Sequence, residues 1–563
     1  MSSTYGIGID FGATTCVVAM SKAGQTDVIP NEMGNRSTSV CVAYTEDGTI
    51  TVGDAAYNQK ERNLPGTIRG FKKFLGQEFE DEVTKEDIAD AATLKNLEIV
   101  QSASSSTCAL KLSWQPDSPI PLEEIATLVF GKIKETASLY LGENVSHCCL
   151  TVPGHFSASK AAIIQECCEG SGMRVMRLLK EPCAALIAQG SDVSALFLRK
   201  FHHVLPNTEN AGDGGKATGF CNKSALDESV RNVAVVDLGG SSFDVSVVAV
   251  SQGSGLFTPL VSSGSGSLGS TSCDELLFDY CVKDLRRKDA KAAMALKKDA
   301  RASLRLKEAC EKGKKALTMS KIANIEVEAL LGDVDFFTKI TREQFEDLLQ
   351  KGTEGGAQPV SDMLEILEEV VEKMENNEQP IDGFLLIGGG CNTPLVQKTV
   401  SGFFAEKCPD AKELKFDGVM ADEAVAVGAA IQADLLLNLG ESENGALEVP
   451  CALKPCEEGE DEDEEPAGIA MEATTLTQAV GIKMKQKDGS AFYPVLRKGV
   501  PIPVSHKESF ACHPGKFGME ICLADGSLIA TVPIETTHHH LDLELSVDAN
   551  GTVSAIVDNL KQF

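Results

Sequence analysis

The chain has 563 residues, 43% hydrophobic and 24% charged, which is enough for several folded cores and too apolar for a wholly disordered chain. Its 82 acidic and 52 basic residues leave a formal charge of −30, which repels nucleic acid and anionic membrane at long range and disfavours direct binding to either. No basic stretch leading into a long apolar run opens the sequence and no stretch of eighteen uncharged apolar residues occurs, so a cytoplasmic protein is the expectation.

In chain order, the first patterned segment is YGIGIDFGATTCVVAM, residues 5–20. β-formers end in Asp10, a glycine and small residues follow, and a second β-rich run closes what reads as a hairpin. The 18 cysteines form no C-x-x-C pair, and Cys148/Cys149 and Cys167/Cys168 fall in apolar runs, so they are expected to be reduced and buried. Residues 203–230, rich in Gly, Asn and Ser, are expected to be a surface insertion with no catalytic role.

The opening pattern then returns in VAVVDLGGSSFDVSVVAV at 233–250, with Asp237 at the strand end. Glycine lets a backbone approach a ligand closely, and a turn of amides and hydroxyls offers donors to phosphate oxygens. An aspartate at each strand end suits a hydrated Mg²⁺ beside those phosphates. One such turn is commonly only a turn. Two copies imply two similar lobes, each lending a hairpin to one cleft.

A third glycine run, FLLIGGGCNTP at 384–394, follows a strand-like segment and precedes the helix-like PLVQKTVSGFF. It either faces an adenosine or merely starts a helix. It is not a Walker loop, and its glycines do not follow the dinucleotide G-x-G-x-x-G spacing.

Several segments together resemble the 70-kilodalton heat-shock chaperone family: GIDFGATT, GNRSTSVCVAYTEDGTITVGDAAYNQ, TIRGFKKFLG, the stretch VPGHFSASK to AALIAQG, VVDLGGSSFDVS, and LLIGGGCNTPLVQ with DEAVAVGAAIQA. The resemblance covers most of residues 5–437 and implies an α/β, actin-like, two-lobed ATPase domain over 1–437 that takes ATP with Mg. It implies that Asp10 and Asp237 hold Mg through its waters. Gly12, Ala13, Thr14, Thr15, Gly239, Gly240, Ser241, Ser242 and Gly269 are implied to line the phosphates. Lys72 matches the lysine near the γ-phosphate, with Lys73 as its decoy neighbour, and Glu181 and Asp244 match carboxylates that organise the metal and attacking water. Glu311, Lys314, Lys315 and Thr318 match the helix over adenosine, and their i, i+3, i+4, i+7 spacing puts them on one face. Gly388, Gly389, Gly390, Asn392 and Asp422 complete the implied nucleotide site.

Four positions depart from the family pattern: Ala13 stands for a threonine, Ser241 for a glycine, His155 for a tyrosine and Asn392 for an arginine. Loss of a hydroxyl bonded to a charged partner removes about 1.5–3 kcal/mol. If that bond forms only in the transition state, cleavage slows roughly tenfold to a hundredfold while binding persists. ATP binding with slow or absent turnover is therefore expected.

Residues 438–473 read as an acidic linker lacking the D-L-L-L-type coupling segment, and strand-rich 474–563 resembles a shortened β-sandwich of the substrate-binding type. KMKQKDGS stands where the family offers an apolar peptide cradle, and Phe563 leaves no room for a helical lid. His538, His539 and His540 would alternate faces in a strand, which disfavours joint chelation.

This combination, with DGSAFYPVLRKGVPIPVSHK, resembles the lidless chaperone subunit of the eukaryotic ribosome-associated complex. The resemblance implies a J-domain partner of the zuotin type, indirect and partial ribosome association, and a complete heat-shock chaperone acting on nascent chains. A self-sufficient peptide chaperone that hydrolyses ATP is the alternative. A sugar or acetate kinase of the same fold is disfavoured by the β-domain and by the helix at 311–318.

Overall fold

A computed structural model of the chain describes residues 5–22, 25–81, 84, 88, 98–102, 105–189, 230–251, 256–352, 358–377 and 379–440, and, further on, 480–486, 489–496, 504–511, 515–523, 528–536, 540–547 and 553–558. Two compact units divide the chain, residues 1–443 and 444–563. All of the 203–230 insertion but Val230, the acidic stretch 457–465, His538 and His539 lie outside the described residues.

The first unit contains two sheets of one design. In the first lobe, β1 (Gly6–Phe11), β2 (Thr15–Lys22), β3 (Gln25–Val28), β4 (Thr38–Ser39), β5 (His147–Val152) and β6 (Arg174–Lys180) form a sheet of order β6-β5-β1-β2-β3, with β4 on β2. In the second lobe, β7 (Val230–Leu238), β8 (Phe243–Ser251), β9 (Leu256–Ser265), β10 (Gly383–Ile387) and β11 (Lys412–Leu414) run in the order β11-β10-β7-β8-β9. In each sheet the hairpin is antiparallel, and its first strand pairs in parallel with a later strand on the other side. The repeat legible in two hairpins is thus a repeat of whole sheets.

The parallel strands are buried and apolar, as βα units require. Ile7, Ile9, Phe11 and Leu150 join the core of the first lobe, and Ala234, Val236, Phe243 and Phe384 that of the second. Helices α1 (Leu122–Leu141), α2 (Ala158–Gly170), α3 (Glu181–Gln189), α4 (Ser270–Lys288), α5 (Ala300–Met319), α6 (Pro394–Lys407) and α7 (Ala424–Gly440) include the main coverings of these sheets. Among them α7 ties the unit together. A Cβ on Gly8 would stand 2.1 Å from the backbone nitrogen of Ala430, and one on Gly428 would stand 1.8 Å from the carbonyl oxygen of Ala184 in α3. Glycine at these two places lets helix backbone lie directly on strand and helix.

Of the described cysteines, all are free and all but Cys408 are buried. The described strands of the second unit are antiparallel, in a sheet of four and a sheet of three. Ile482, Met519, Ile521, Leu543 and Leu545 are buried there.

Candidate functional site

The two glycine hairpins close in the same way. Gly12 N donates to Thr15 O at 3.1 Å, and Gly239 N donates to Ser242 O at 3.0 Å. Position 13 therefore corresponds to 240, and 14 to 241. The hairpins also meet: a Cβ on Gly240 would stand 2.5 Å from Thr14 Oγ1. Gly12, Ala13, Gly239, Gly240, Ser241 and Ser242 are half-buried there, whereas Thr14 and Thr15 are exposed. Gly269 caps α4 at the second hairpin, where Ser270 N and Thr271 N donate to the carbonyls of Gly239 and Gly240.

Beneath the hairpins the acidic groups converge. Lys72 follows Gly70, whose φ of 68° is left-handed, and sits in the short 3-10 turn Phe71–Phe74. This delivers its ammonium into the site, where it is 7% exposed and donates to the carbonyl of Phe11. Asp244 stands opposite Asp237 in the β7–β8 register, and Glu181 opens α3.

Desolvation pushes the Asp10 carboxyl up to about 6, against the pull of Lys72 and the Thr151 hydroxyl. Desolvation, then repulsion from Asp244 and Asp10, pushes Asp237 up to about 8, again against Lys72. Glu181 is raised well above the carboxylate range by burial, with Lys72 opposing and Asp10, Asp237 and Asp244 reinforcing. Four carboxylates around one lysine are short of positive charge, and a divalent cation with its waters would supply it. Asp244 Oδ1 is buried and makes no hydrogen bond of good angle, although His155 Nδ1 lies 2.5 Å away, so its lone pairs retain capacity that such a shell would satisfy. The residues present therefore fit Mg.

The third glycine run closes this floor. Gly388 has a φ of +80°, and a Cβ there would meet Asp237 Oδ1 at 2.4 Å. A Cβ on Gly389 would come no nearer than 4.0 Å to Asp422 Cβ, so that face stays open, whereas one on Gly390 would run into Leu238. Lys314, Thr318, Arg342, Thr393 and Pro394 line one narrow crevice, which brings the α5 face and the turn after β10 together. Asn392 and Asp422 are exposed beside it.

The four α5 residues do different work. Lys315 bonds Glu311 at 2.7 Å, and Thr318 donates to the carbonyl of Lys315 at 2.7 Å. Lys314 is buried and turns to Ser270 Oγ at 2.6 Å and Asp274 Oδ2 at 2.7 Å. Ser270 and Asp274 carry no local sequence signal, and neither does Thr151, whose hydroxyl donates to Ile9 O at 3.3 Å. The same holds for the pair Lys60–Glu308, 2.9 Å apart, which joins the first lobe to α5.

Comparison with known proteins decides the family. The profile described as "Hsp70 protein" matches residues 6–448. The chain belongs to the Hsp70 family. Its first unit is accordingly the Hsp70 actin-like ATPase fold, and Hsp70 proteins are chaperones that bind ATP with Mg.

Curated Hsp70 relatives include "Heat shock 70 kDa protein 2" of Paracoccidioides lutzii, 31% identical over 76% of this chain and 57% of that protein. "Heat shock 70 kDa protein" of Neurospora crassa is 31% identical over 76% of this chain and 58% of its own length. A further heat shock protein, from Pyricularia oryzae, is 30% identical over 90% of this chain and 69% of its own. The chain thus spans less than three fifths of the length of the first two relatives. Among the described residues no helix is long and apolar enough to cross a membrane.

Proposed function

We propose that this Hsp70 chain binds Mg-ATP between its lobes, cleaves it slowly or not at all, and serves as a cytoplasmic co-chaperone scaffold. In this reading it pairs with a J-domain protein of the zuotin type at the ribosome, beside a complete heat-shock chaperone. Residues 1–437 would form the nucleotide domain, 438–473 the linker, and 474–563 a substrate-type β-domain.

The observation that carries the nucleotide part is the junction of the hairpins, with Gly240 against Thr14 above the Asp10 and Asp237 carboxylates. Backbone amides and the hydroxyls of Thr14, Thr15, Ser241 and Ser242 would hold phosphate oxygens, and Gly389 and α5 would border the base. Bound Mg would supply charge neutralisation at the phosphates. Lys72 would face charge developing on the transferred group, and Glu181 and Asp244 would orient water.

Binding of a fluorescent ATP analogue with Mg tests this directly. The wild type should bind and the Asp10→Asn/Asp237→Asn double variant should not; equal binding by both would remove the assignment. The retained Lys72, Glu181, Asp237 and Asp244 favour the second reading, a self-sufficient chaperone ATPase. Rapid turnover accelerated by peptide would select it.

A further inference from the structure

The loop after β5 reaches the opposite lobe. A Cβ on Gly154 would stand 2.5 Å from Ser246 Oγ in β8 and 3.2 Å from Ser262 Oγ in β9, so the loop lies against the second sheet. The next residue, His155, brings Nδ1 to 2.5 Å from Asp244 Oδ1. Its ring meets Phe156 edge to face at 5.2 Å, and that phenyl lies 5.6 Å from Lys72 Nζ. The imidazole is 37% exposed and the carboxylate 9%. A deeply buried acid of one lobe is thus met by a solvent-reachable donor of the other. The Oδ1 atom makes no hydrogen bond of good angle, yet the ring nitrogen already lies within bonding distance.

We propose that His155 is a positioning residue that engages Asp244 across the cleft, so that bound nucleotide is released slowly and the carboxylate is withheld from the attacking water. The proposal rests on the nucleotide reading above. A carboxylate oxygen committed to an imidazole N–H has less capacity to order a water. The lobes cannot part at this point without breaking that contact. A bond to a charged acceptor of this kind corresponds to roughly a tenfold to hundredfold change in rate. His155 stands where the family resemblance places a tyrosine, so the contact belongs to this chain's own residues.

Stopped-flow release of a fluorescent ATP analogue with Mg tests it in the full chain, for wild type, His155→Phe, His155→Gln, Asp244→Ala and the Phe/Ala double variant. His155→Phe keeps an aromatic ring on Phe156 but lacks the donor. It should release nucleotide roughly tenfold to a hundredfold faster and raise the single-turnover cleavage rate. His155→Gln, which restores a donor, should return release to the wild-type rate, and His155→Phe should add nothing once Asp244 is alanine. Release from His155→Phe at the wild-type rate, or an equal effect in the Asp244→Ala background, overturns the clasp while leaving nucleotide binding intact. A wild-type chain that retains no analogue removes both readings.

Discussion

Ala13 is a methyl group at the meeting point of two phosphate-type hairpins. Its counterpart in the second hairpin is Gly240, which has no room for a side chain because Thr14 Oγ1 lies 2.5 Å from where its Cβ would be. Neither hairpin therefore presents a hydroxyl at this position. Ala13→Thr should raise single-turnover cleavage roughly tenfold to a hundredfold and leave affinity for the ATP analogue nearly unchanged. A rate that does not move would mean that the hydroxyl missing at Ala13 does not limit cleavage.

The buried acids make a second residue-scale prediction. An ordinary aspartate titrates near 3.9, whereas Asp10 stands at about 6 and Asp237 at about 8. The native state therefore holds protons that the unfolded chain has released. Their stabilising contribution is full below about pH 4 and is lost as pH rises through about 6 and then about 8. Nucleotide-free protein should melt at lower temperature from pH 5 to 9, and Asp237→Asn should flatten the upper part of that fall. A cation needs the ionised acids, so Mg-ATP binding should release protons and weaken from pH 8 to 6. Calorimetry in two buffers of different ionisation enthalpy reads the released protons.

At the scale of elements, what was legible depended on how local the cause is. An Asp-Gly turn between β-rich runs is specified by neighbouring residues, so both hairpins and the glycine turn after β10 could be read directly. The shared order of the sheets depends on β5 and β10, which pair with β1 and β7 across more than a hundred residues, and no short pattern encodes such pairing. The same reason hid the bonds of Lys314 to Ser270 and Asp274, and the approach of His155 to Asp244. Helical spacing put Lys314 on a face with Glu311, but it could not reveal that α4 packs against that face.

Glycines expose the packing that spacing cannot. Gly8→Val would push a side chain into the backbone of α7, which lies 2.1 Å from the Cβ position, and should destabilise the first unit by about 3 kcal/mol. Gly131 in α1 has nothing within 4 Å of its Cβ position, so Gly131→Ala should stabilise by about 1 kcal/mol through helix propensity. Urea unfolding of the two variants separates the effects. If Gly8→Val shifts the midpoint no more than Gly131→Ala does, the close seating of α7 on β1 is wrong.

At the scale of the molecule, the charge constrains how the proposed scaffold could reach a ribosome. A chain of −30 approaching ribosomal RNA meets repulsion that is screened beyond a Debye length of about 8 Å at physiological salt but acts at contact. Association through a basic partner avoids this cost, because the partner carries the phosphate contacts and the acidic chain docks on the partner. The purified chain should then stay in the supernatant when ribosomes are sedimented at about 0.15 M salt, and should move to the pellet when a zuotin-type J-domain protein is added. Lowering the salt should not draw the chain down alone, since weaker screening strengthens repulsion between like charges. Sedimentation of the chain by itself, strengthening as salt is lowered, would reveal a local basic surface that overrides the net charge. It would move the contact from the partner to this protein.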